Sequence, residues 1–260
     1  TLTIDGSKVV VKNANHTAYS DKVDNAAIML DQGATLTLDN GASLIIDSPV
    51  GDGIATWDVV ANNTVETLNV LNGSTYELKN ASNGGGVEDY NGDSFNVNVN
   101  VINESRILVQ SSYSGFIGTL DITIDNSVVD VFDSRGNGSN GSNYYISNGS
   151  TVTFTDNGSH GISATDLVVE TGSQVIAKDN AYYGAYAKGQ FKVDGTSSMV
   201  VTGNSYGGDY AGLKLTSGVT DGKVESGAVV TITDNYCSGL SNNGKVAFEE
   251  GAKLTIMNNV

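Results

Sequence analysis

A short pattern recurs ten times along this chain: a glycine or polar turn residue, with apolar residues at the third and fifth positions after it. The turn residues are Gly6, Gly41, Gly73, Glu104, Asn126, Gly149, Gly172, Gly195, Gly227 and Gly251. The unit is about 23 residues long, and several copies are enlarged. Such a period indicates a solenoid, in which each repeat buries its apolar face only against its neighbours.

Each unit contains alternating apolar pairs that are typical of half-buried β-strands. One pair follows the turn, one precedes it, and a glycine-apolar step such as Gly184-Ala185 marks a third short strand. Examples of the first two are Val152/Phe154, Val175/Ala177, Met199/Val201 in the copy shifted by one, Leu36/Leu38 and Leu167/Val169. The sequence therefore predicts an all-β fold, a right-handed parallel β-helix of about ten rungs with three short strands per rung. A β-sandwich array is the alternative; leucine-rich repeats are disfavoured because no helix per unit is visible.

The repeat runs without a compositional break, so residues 1–260 are predicted to form a single β-helix domain. The pattern continues to both ends of the sequence without a capping helix, and we expect a fragment of a larger surface protein. The net charge is −16, with only 13 Lys and Arg, which disfavours nucleic acid and anionic membranes as partners. An apolar run of 18 residues is missing, so membrane insertion is not expected. The sequence leaves the oligomeric state open.

In most units an asparagine or aspartate lies about seven or eight residues after the turn residue, beyond the strand, and stacked amides of this kind predict a ladder that satisfies the turn backbone. These residues are Asn13, Asn80, Asp133, Asn157, Asn180, Asn204, Asn235 and Asn259. The single cysteine, Cys237, is predicted to fill a turn or the core.

Aromatic and basic residues come just after this position in successive units. They are Tyr113, Arg135, His160, Tyr182, Tyr183, Tyr186, Tyr206, Tyr210 and Tyr236, edged by Asp133, Asp179, Asp209 and Asp234. A tyrosine face beside amides and carboxylates suits sugar rings, which combine apolar CH faces with hydroxyl groups. We therefore predict ligand binding at Tyr182, Tyr183, Tyr206, Tyr210, Tyr236 and Arg135; tyrosines that only fill turns are the alternative.

Two enlarged units carry further candidate binding residues in their long turns, Trp57 and Tyr90. Acidic residues accompany both, so calcium binding in these loops stays open. The usual sequence signals of a calcium site, an EF-hand or a glycine-rich calcium repeat, are not present. No metal site and no cofactor is predicted.

The strand and turn period resembles the pectin-lyase-like fold over nearly all of the chain. That resemblance implies polysaccharide lyases or hydrolases, which are expected to need an Arg or Lys base or closely spaced aspartates. Asp133 with Arg135 is the best catalytic pair available, but cations are few and no compact acid cluster is visible. We therefore expect a protein that is not an enzyme.

The chain also resembles the β-helical regions of bacterial cell-surface adhesins. The runs that carry this are Asp39-Asn40-Gly41-Ala42-Ser43-Leu44-Ile45-Ile46-Asp47 and Glu225-Ser226-Gly227-Ala228-Val229-Val230-Thr231-Ile232-Thr233-Asp234-Asn235. The resemblance implies a secreted or wall-anchored, extracellular binding module that engages a glycan or a host or matrix protein. The alternatives are the polysaccharide-processing enzyme and a passive structural stalk.

Overall fold

A computed structural model of the chain describes residues 1–14, 26–57, 64–89, 97–206 and 210–260. These residues form 27 strands, numbered in chain order. The strands are β1 (Leu2–Asp5), β2 (Lys8–Lys12), β3 (Ile28–Asp31), β4 (Thr35–Asp39), β5 (Ser43–Asp47), β6 (Ile54–Trp57), β7 (Thr67–Leu71), β8 (Thr75–Lys79), β9 (Gly85–Asp89), β10 (Val97–Ile102), β11 (Arg106–Gln110), β12 (Ser114–Ile117), β13 (Leu120–Asp125), β14 (Val128–Phe132), β15 (Ser139–Ser147), β16 (Thr151–Thr155), β17 (Ile162–Val169), β18 (Gln174–Lys178), β19 (Ala185–Ala187), β20 (Phe191–Val193), β21 (Ser198–Thr202), β22 (Ala211–Leu215), β23 (Gly222–Val224), β24 (Val229–Thr233), β25 (Ser238–Asn242), β26 (Val246–Phe248) and β27 (Lys253–Met257).

The strands pair in parallel and form three ladders. The first ladder is β1, β4, β7, β10, β13, β15, β17, β20, β23 and β26; the second is β2, β5, β8, β11, β14, β16, β18, β21, β24 and β27; the third is β3, β6, β9, β12, β15, β17, β19, β22 and β25. Strands β15 and β17 are long enough to belong to both the first and the third ladder, which therefore count as one sheet of 17 strands. The chain thus passes through the three ladders in turn, a pattern consistent with a parallel β-solenoid.

The core consists of inward side chains that repeat from strand to strand in register. In β16, Val152 and Phe154 are buried while the threonines beside them are half-buried. Val152 is in register with Val175, and Phe154 with Ala177, as the sequence pattern predicts. The ring of Tyr144 packs edge-on between Phe116 and Phe154, with centroid distances of 6.5 and 6.0 Å.

The shift by one residue in the copy at Gly195 is confirmed, because Met199 is in register with Val175 and is fully buried. The predicted inward residues of the two outermost strands of the second ladder are partly exposed instead. Val9 in β2 is 36% exposed and Ile256 in β27 is 44% exposed. Each of these strands has one neighbour in its ladder, so one side of its apolar row is left uncovered.

The turns between the first and second ladders are short and carry their own hydrogen-bond ladder. Asn148 and Gly149 both have positive φ, a conformation that costs these two residue types least. In six of these turns the next residue is a buried serine. The backbone N–H of one such serine donates to the Oγ of the next, from Ser127 to Ser150 at 3.1 Å and from Ser150 to Ser173 at 3.2 Å. This serine ladder was not predicted from the sequence.

The all-β prediction is confirmed for the part of the chain that the structure describes, where every assigned element is a strand. Accordingly, these residues contain no helix long and apolar enough to cross a bilayer.

Candidate functional site

The candidate site is built on the edge turns, the segments that connect each strand of the second ladder to the following strand of the third ladder. A buried asparagine ladder supports them. Amide nitrogens donate to amide oxygens from Asn157 to Asn180 at 2.8 Å, from Asn180 to Asn204 at 2.9 Å, and from Asn204 to Asn235 at 3.0 Å. Asn235 continues to Asn259 at 2.8 Å. These amides fix the path of the backbone, because each oxygen also accepts the backbone N–H of the preceding asparagine in the ladder.

Three residues predicted to belong to this ladder do not. Asn13, Asn80 and Asp133 lie one position earlier in their turns, directly after a strand, with φ of 51°, 57° and 57°. In the turn of Asp133, the ladder position is taken by Ser134, whose N–H donates to the oxygen of Asn157 at 3.2 Å. The error arose because asparagine and aspartate are favoured at both positions, by the left-handed backbone at one and by amide stacking at the other.

A column of glycines covers the asparagine ladder on the third-ladder side. A Cβ atom at Gly161, Gly184 or Gly239 would collide with the amide of the asparagine on the next turn. Glycine is therefore required by close approach, and the Asn-x-x-x-Gly spacing at Asn157, Asn180 and Asn235 is the sequence signal for it.

The edge turns stack on one another through backbone hydrogen bonds, so their side chains leave the same edge of the molecule. In each bond a backbone N–H donates to a backbone carbonyl of the preceding turn. The donor and acceptor residues are Arg135 and Ser112, Gly158 and Ser134, Ala181 and Asn157, Ser205 and Asn180, and Tyr236 and Asn204. This continuity brings most of the predicted binding residues of the second half of the chain onto one surface.

Five rings on this surface form what we call the His160 cluster: His160, Tyr182, Tyr183, Tyr186 and Tyr210. The imidazole is at the centre, with its centroid 5.1 Å from that of Tyr183, 5.6 Å from Tyr182 and 6.4 Å from Tyr210. The rings of Tyr182 and Tyr210 stack at 4.4 Å with an interplanar angle of 12°, and Tyr183 stacks on Tyr186 at 5.3 Å. Lys188 Nζ lies 5.3 Å from the centroid of Tyr186.

His160 is held by hydrogen bonds on both sides. Its backbone N–H donates to Asn137 Oδ1 at 3.2 Å, and its ring Nδ1 accepts the N–H of Tyr183 at 3.3 Å. Burial, followed by the positive charge of Lys188, lowers the pKa of His160 below its usual value. An acceptor at Nδ1 and a lowered pKa both favour the neutral imidazole.

Tyr206 and Tyr236 stack separately, with centroids 5.5 Å apart, and we call them the Tyr206 pair. Both are well exposed, Tyr206 by 61% and Tyr236 by 58%. The prediction of one tyrosine row through Tyr182, Tyr206 and Tyr236 needs correction in this respect. Tyr182 stacks on Tyr210, which precedes β22. Tyr206 instead stacks on Tyr236, the residue directly after Asn235 of the ladder.

Arg135 lies farther along the same edge, over the ring of Tyr113, with 6.0 Å between its guanidinium carbon and the ring centroid. Asp133, its predicted catalytic partner, accepts a hydrogen bond from Ser111 Oγ at 2.7 Å. Arg135 and Asp133 do not form an ion pair with each other.

The two loop candidates are not tested by this geometry. Trp57 ends strand β6, but its side chain lies outside the described part of the structure, as does Tyr90. Within the described ranges, no three His, Cys, Asp or Glu side chains come together as metal ligands would.

A shallow depression on the first ladder is a weaker candidate. Its volume is about 200 Å³, and Lys192 lines it together with Lys223 and Glu225. Lys192 Nζ is 2.6 Å from Glu170 and 3.2 Å from Glu225, and the hydrogen bond to Glu170 is the main cause that raises its pKa. A lysine that is charged and doubly paired is not available as a base, so this depression offers little chemistry.

In comparisons with known proteins, no family model matches the chain, and no curated protein and no solved structure matches it.

His160 and Tyr186 lie in the turns that the sequence predicts to carry the aromatic residues, although they are not in the predicted binding set. Their place in the cluster follows from ring contacts that the sequence does not specify. The available signal was the column itself, since His160 and Tyr183 occupy equivalent positions one 23-residue unit apart.

Proposed function

We propose that this chain is a non-catalytic binding module that holds a glycan chain along its edge turns, in the manner expected of a bacterial surface adhesin. The observation that carries the proposal is the His160 cluster, in which five aromatic rings gather on one edge. Tyr182 is 39% exposed, and the other four rings are half-buried, so a face of the cluster meets solvent.

The chemistry of this surface favours a sugar ligand. Aromatic faces stack on the CH faces of sugar rings, while tyrosine hydroxyls and neighbouring amides can bond to sugar hydroxyls. The rings are already packed against each other, so binding loses little side-chain entropy. The stacked turns repeat at about 4.8 Å, which suits an extended ligand better than a compact one.

We also propose the finer fold. Crossovers between parallel strands are right-handed in nearly all proteins, which favours a right-handed parallel β-helix of the pectin-lyase-like type. About ten rungs at about 4.8 Å each give a rod on the order of 50 Å long. A rigid rod with a binding edge suits a secreted or wall-anchored protein, where a host or matrix protein is the other class of partner to be tested.

The enzyme alternative is less favoured because Asp133 and Arg135 each contact another residue. The stalk alternative predicts that the edge turns bind nothing, and the same experiment decides it.

The test is a glycan and matrix-protein array probed with the wild-type chain, followed by affinity measurement on the best ligand. The variants are Tyr182→Ala/Tyr210→Ala, which removes the stacked pair of the His160 cluster, and Tyr206→Ala/Tyr236→Ala. We expect the first to weaken glycan binding at least tenfold, since each stacking contact is worth about 0.5–1.5 kcal/mol beyond the area buried.

Tyr145→Ala is the matched control, because Tyr145 is also partly exposed but belongs to β15 on the 17-stranded sheet. It should bind as the wild type does, and circular dichroism should be unchanged for all variants. Unchanged affinity in both double variants would contradict the proposal, as would an array without any glycan ligand.

A further inference from the structure

A row of carboxylates on the same edge ends at the Tyr206 pair. Each edge turn begins with one residue directly after its second-ladder strand, and in three consecutive turns this residue is Asp133, Asp156 and Asp179, all with positive φ. The preceding strand residues Phe132, Thr155 and Lys178 are in register. The three side chains therefore leave the same edge at intervals of about 4.8 Å.

This negative charge reaches the exposed tyrosines. The hydroxyl of Tyr206 donates to the backbone carbonyl of Asp179 at 3.4 Å. Burial is the main cause that raises the pKa of Tyr206, and the charges of Asp179 and Asp156 follow. Asp234, two residues before Tyr236 in the sequence, adds a further exposed carboxylate. Lys178 pairs with this row, with its Nζ 3.4 Å from the carboxylate of Asp179.

We propose that the glycan bound by the edge turns is an amino-sugar chain with free ammonium groups, which lie against the Tyr206 pair and between Asp156 and Asp179. This inference rests on the proposed function. A tyrosine face attracts a cation through its π electrons, and carboxylates beside the ring add to that attraction. The net charge of −16 acts against a uronate chain, whereas a neutral chain gains only the stacking contacts.

The experiment compares hexasaccharides of glucosamine, N-acetylglucosamine and galacturonate by titration calorimetry at two salt concentrations. We expect glucosamine to bind on the order of tenfold more tightly than N-acetylglucosamine, because each exposed ion pair contributes up to about fivefold. The preference should shrink at high salt, and galacturonate should bind most weakly.

Asp156→Asn/Asp179→Asn should lower the affinity for glucosamine to that for N-acetylglucosamine. Asparagine tolerates positive φ, so the turns are preserved. The matched control is Asp221→Asn/Glu250→Gln, which removes the same charge from two other exposed positions and should keep the preference.

Equal affinity for the two hexasaccharides, or a preference that survives Asp156→Asn/Asp179→Asn, overturns the inference but leaves the proposed function standing. A lysine-rich peptide is titrated in the same way. If it binds more tightly than the glucosamine chain, the carboxylate row belongs to a protein partner and the inference is overturned. Absence of binding by all three hexasaccharides overturns the inference, whereas the proposed function falls only if the array also yields no glycan ligand.

Discussion

At the scale of single residues, the asparagine ladder allows each edge turn to bury one polar side chain completely. Asn180, Asn204 and Asn235 are each 0% exposed, and their amides are paired with one another and with backbone carbonyls. A buried amide that keeps its partners costs little, whereas one that loses them carries its desolvation penalty in full. The edge turns, and with them the His160 cluster, depend on these hydrogen bonds.

Asn204→Ala tests the ladder. The change removes the side-chain amide that donates to the carbonyls of Ala177 and Thr202 and accepts from the amide of Asn180. These buried groups then lose a hydrogen-bond partner. We expect a loss of about 2–4 kcal/mol in the free energy of unfolding, measured by chemical denaturation. The control is Asn100→Ala. Asn100 is half-buried on the outer face of β10, and its amide donates to Asn69 of β7. This substitution should cost less than about 1 kcal/mol. Similar losses in the two variants would show that the ladder has no special role.

His160 makes stability depend on pH. Its pKa is lowered in the folded state, so below about pH 6.5 the unfolded chain takes up a proton that the folded protein resists. The contribution of His160 is therefore complete above that pH and is lost as the pH falls toward the folded pKa. We expect the free energy of unfolding to fall between pH 7.5 and 5.5, and His160→Gln to flatten this slope.

His16→Gln removes the chain's other histidine and serves as the control, since it should leave the slope caused by His160 in place. A slope that is the same in wild type and His160→Gln would contradict the assignment.

At the scale of elements, the strands owe their stability to inward side chains in register. Val152 in β16 packs between Val129 of β14 and Val175 of β18 and is fully buried. Repetition of this contact along the ladder makes every central strand dependent on two neighbours.

Val152→Asp would place an unpaired carboxylate in this apolar row. We expect the free energy of unfolding to fall by several kcal/mol, as thermal or chemical denaturation would show. Thr153→Asp is the matched control, because Thr153 is the next residue on the same strand but faces outward and is half-buried. If Val152→Asp unfolds no more easily than Thr153→Asp, the assignment of the inward face is wrong.

The sequence predicted the elements well and the site only in part, for a physical reason. In a repeat fold the partner of each strand lies one unit away, so alternation and spacing were enough to align Val175 with Met199. Ring contacts depend on turn length and side-chain rotamers. Tyr182 could therefore be placed on the correct edge, but its stacking on Tyr210, beyond an enlarged turn, could not be predicted.

At the scale of the whole molecule, turns from successive repeats stack on one another and form a continuous surface. The same backbone hydrogen bonds that join one turn to the next carry Arg135, the His160 cluster and the Tyr206 pair along one edge. Weak contacts in series on a rigid support can add to a useful affinity without a deep pocket. This is the physical basis on which we propose a binding edge instead of a catalytic cleft.

The most direct test of the binding edge is a crystal structure of the chain with the best array glycan bound. The account predicts sugar rings stacked on Tyr182 and Tyr210, with the chain continuing toward Tyr206 and Tyr236 along the edge turns. A glycan bound on the outer face of either sheet, or in the loops that hold Trp57 and Tyr90, would contradict it.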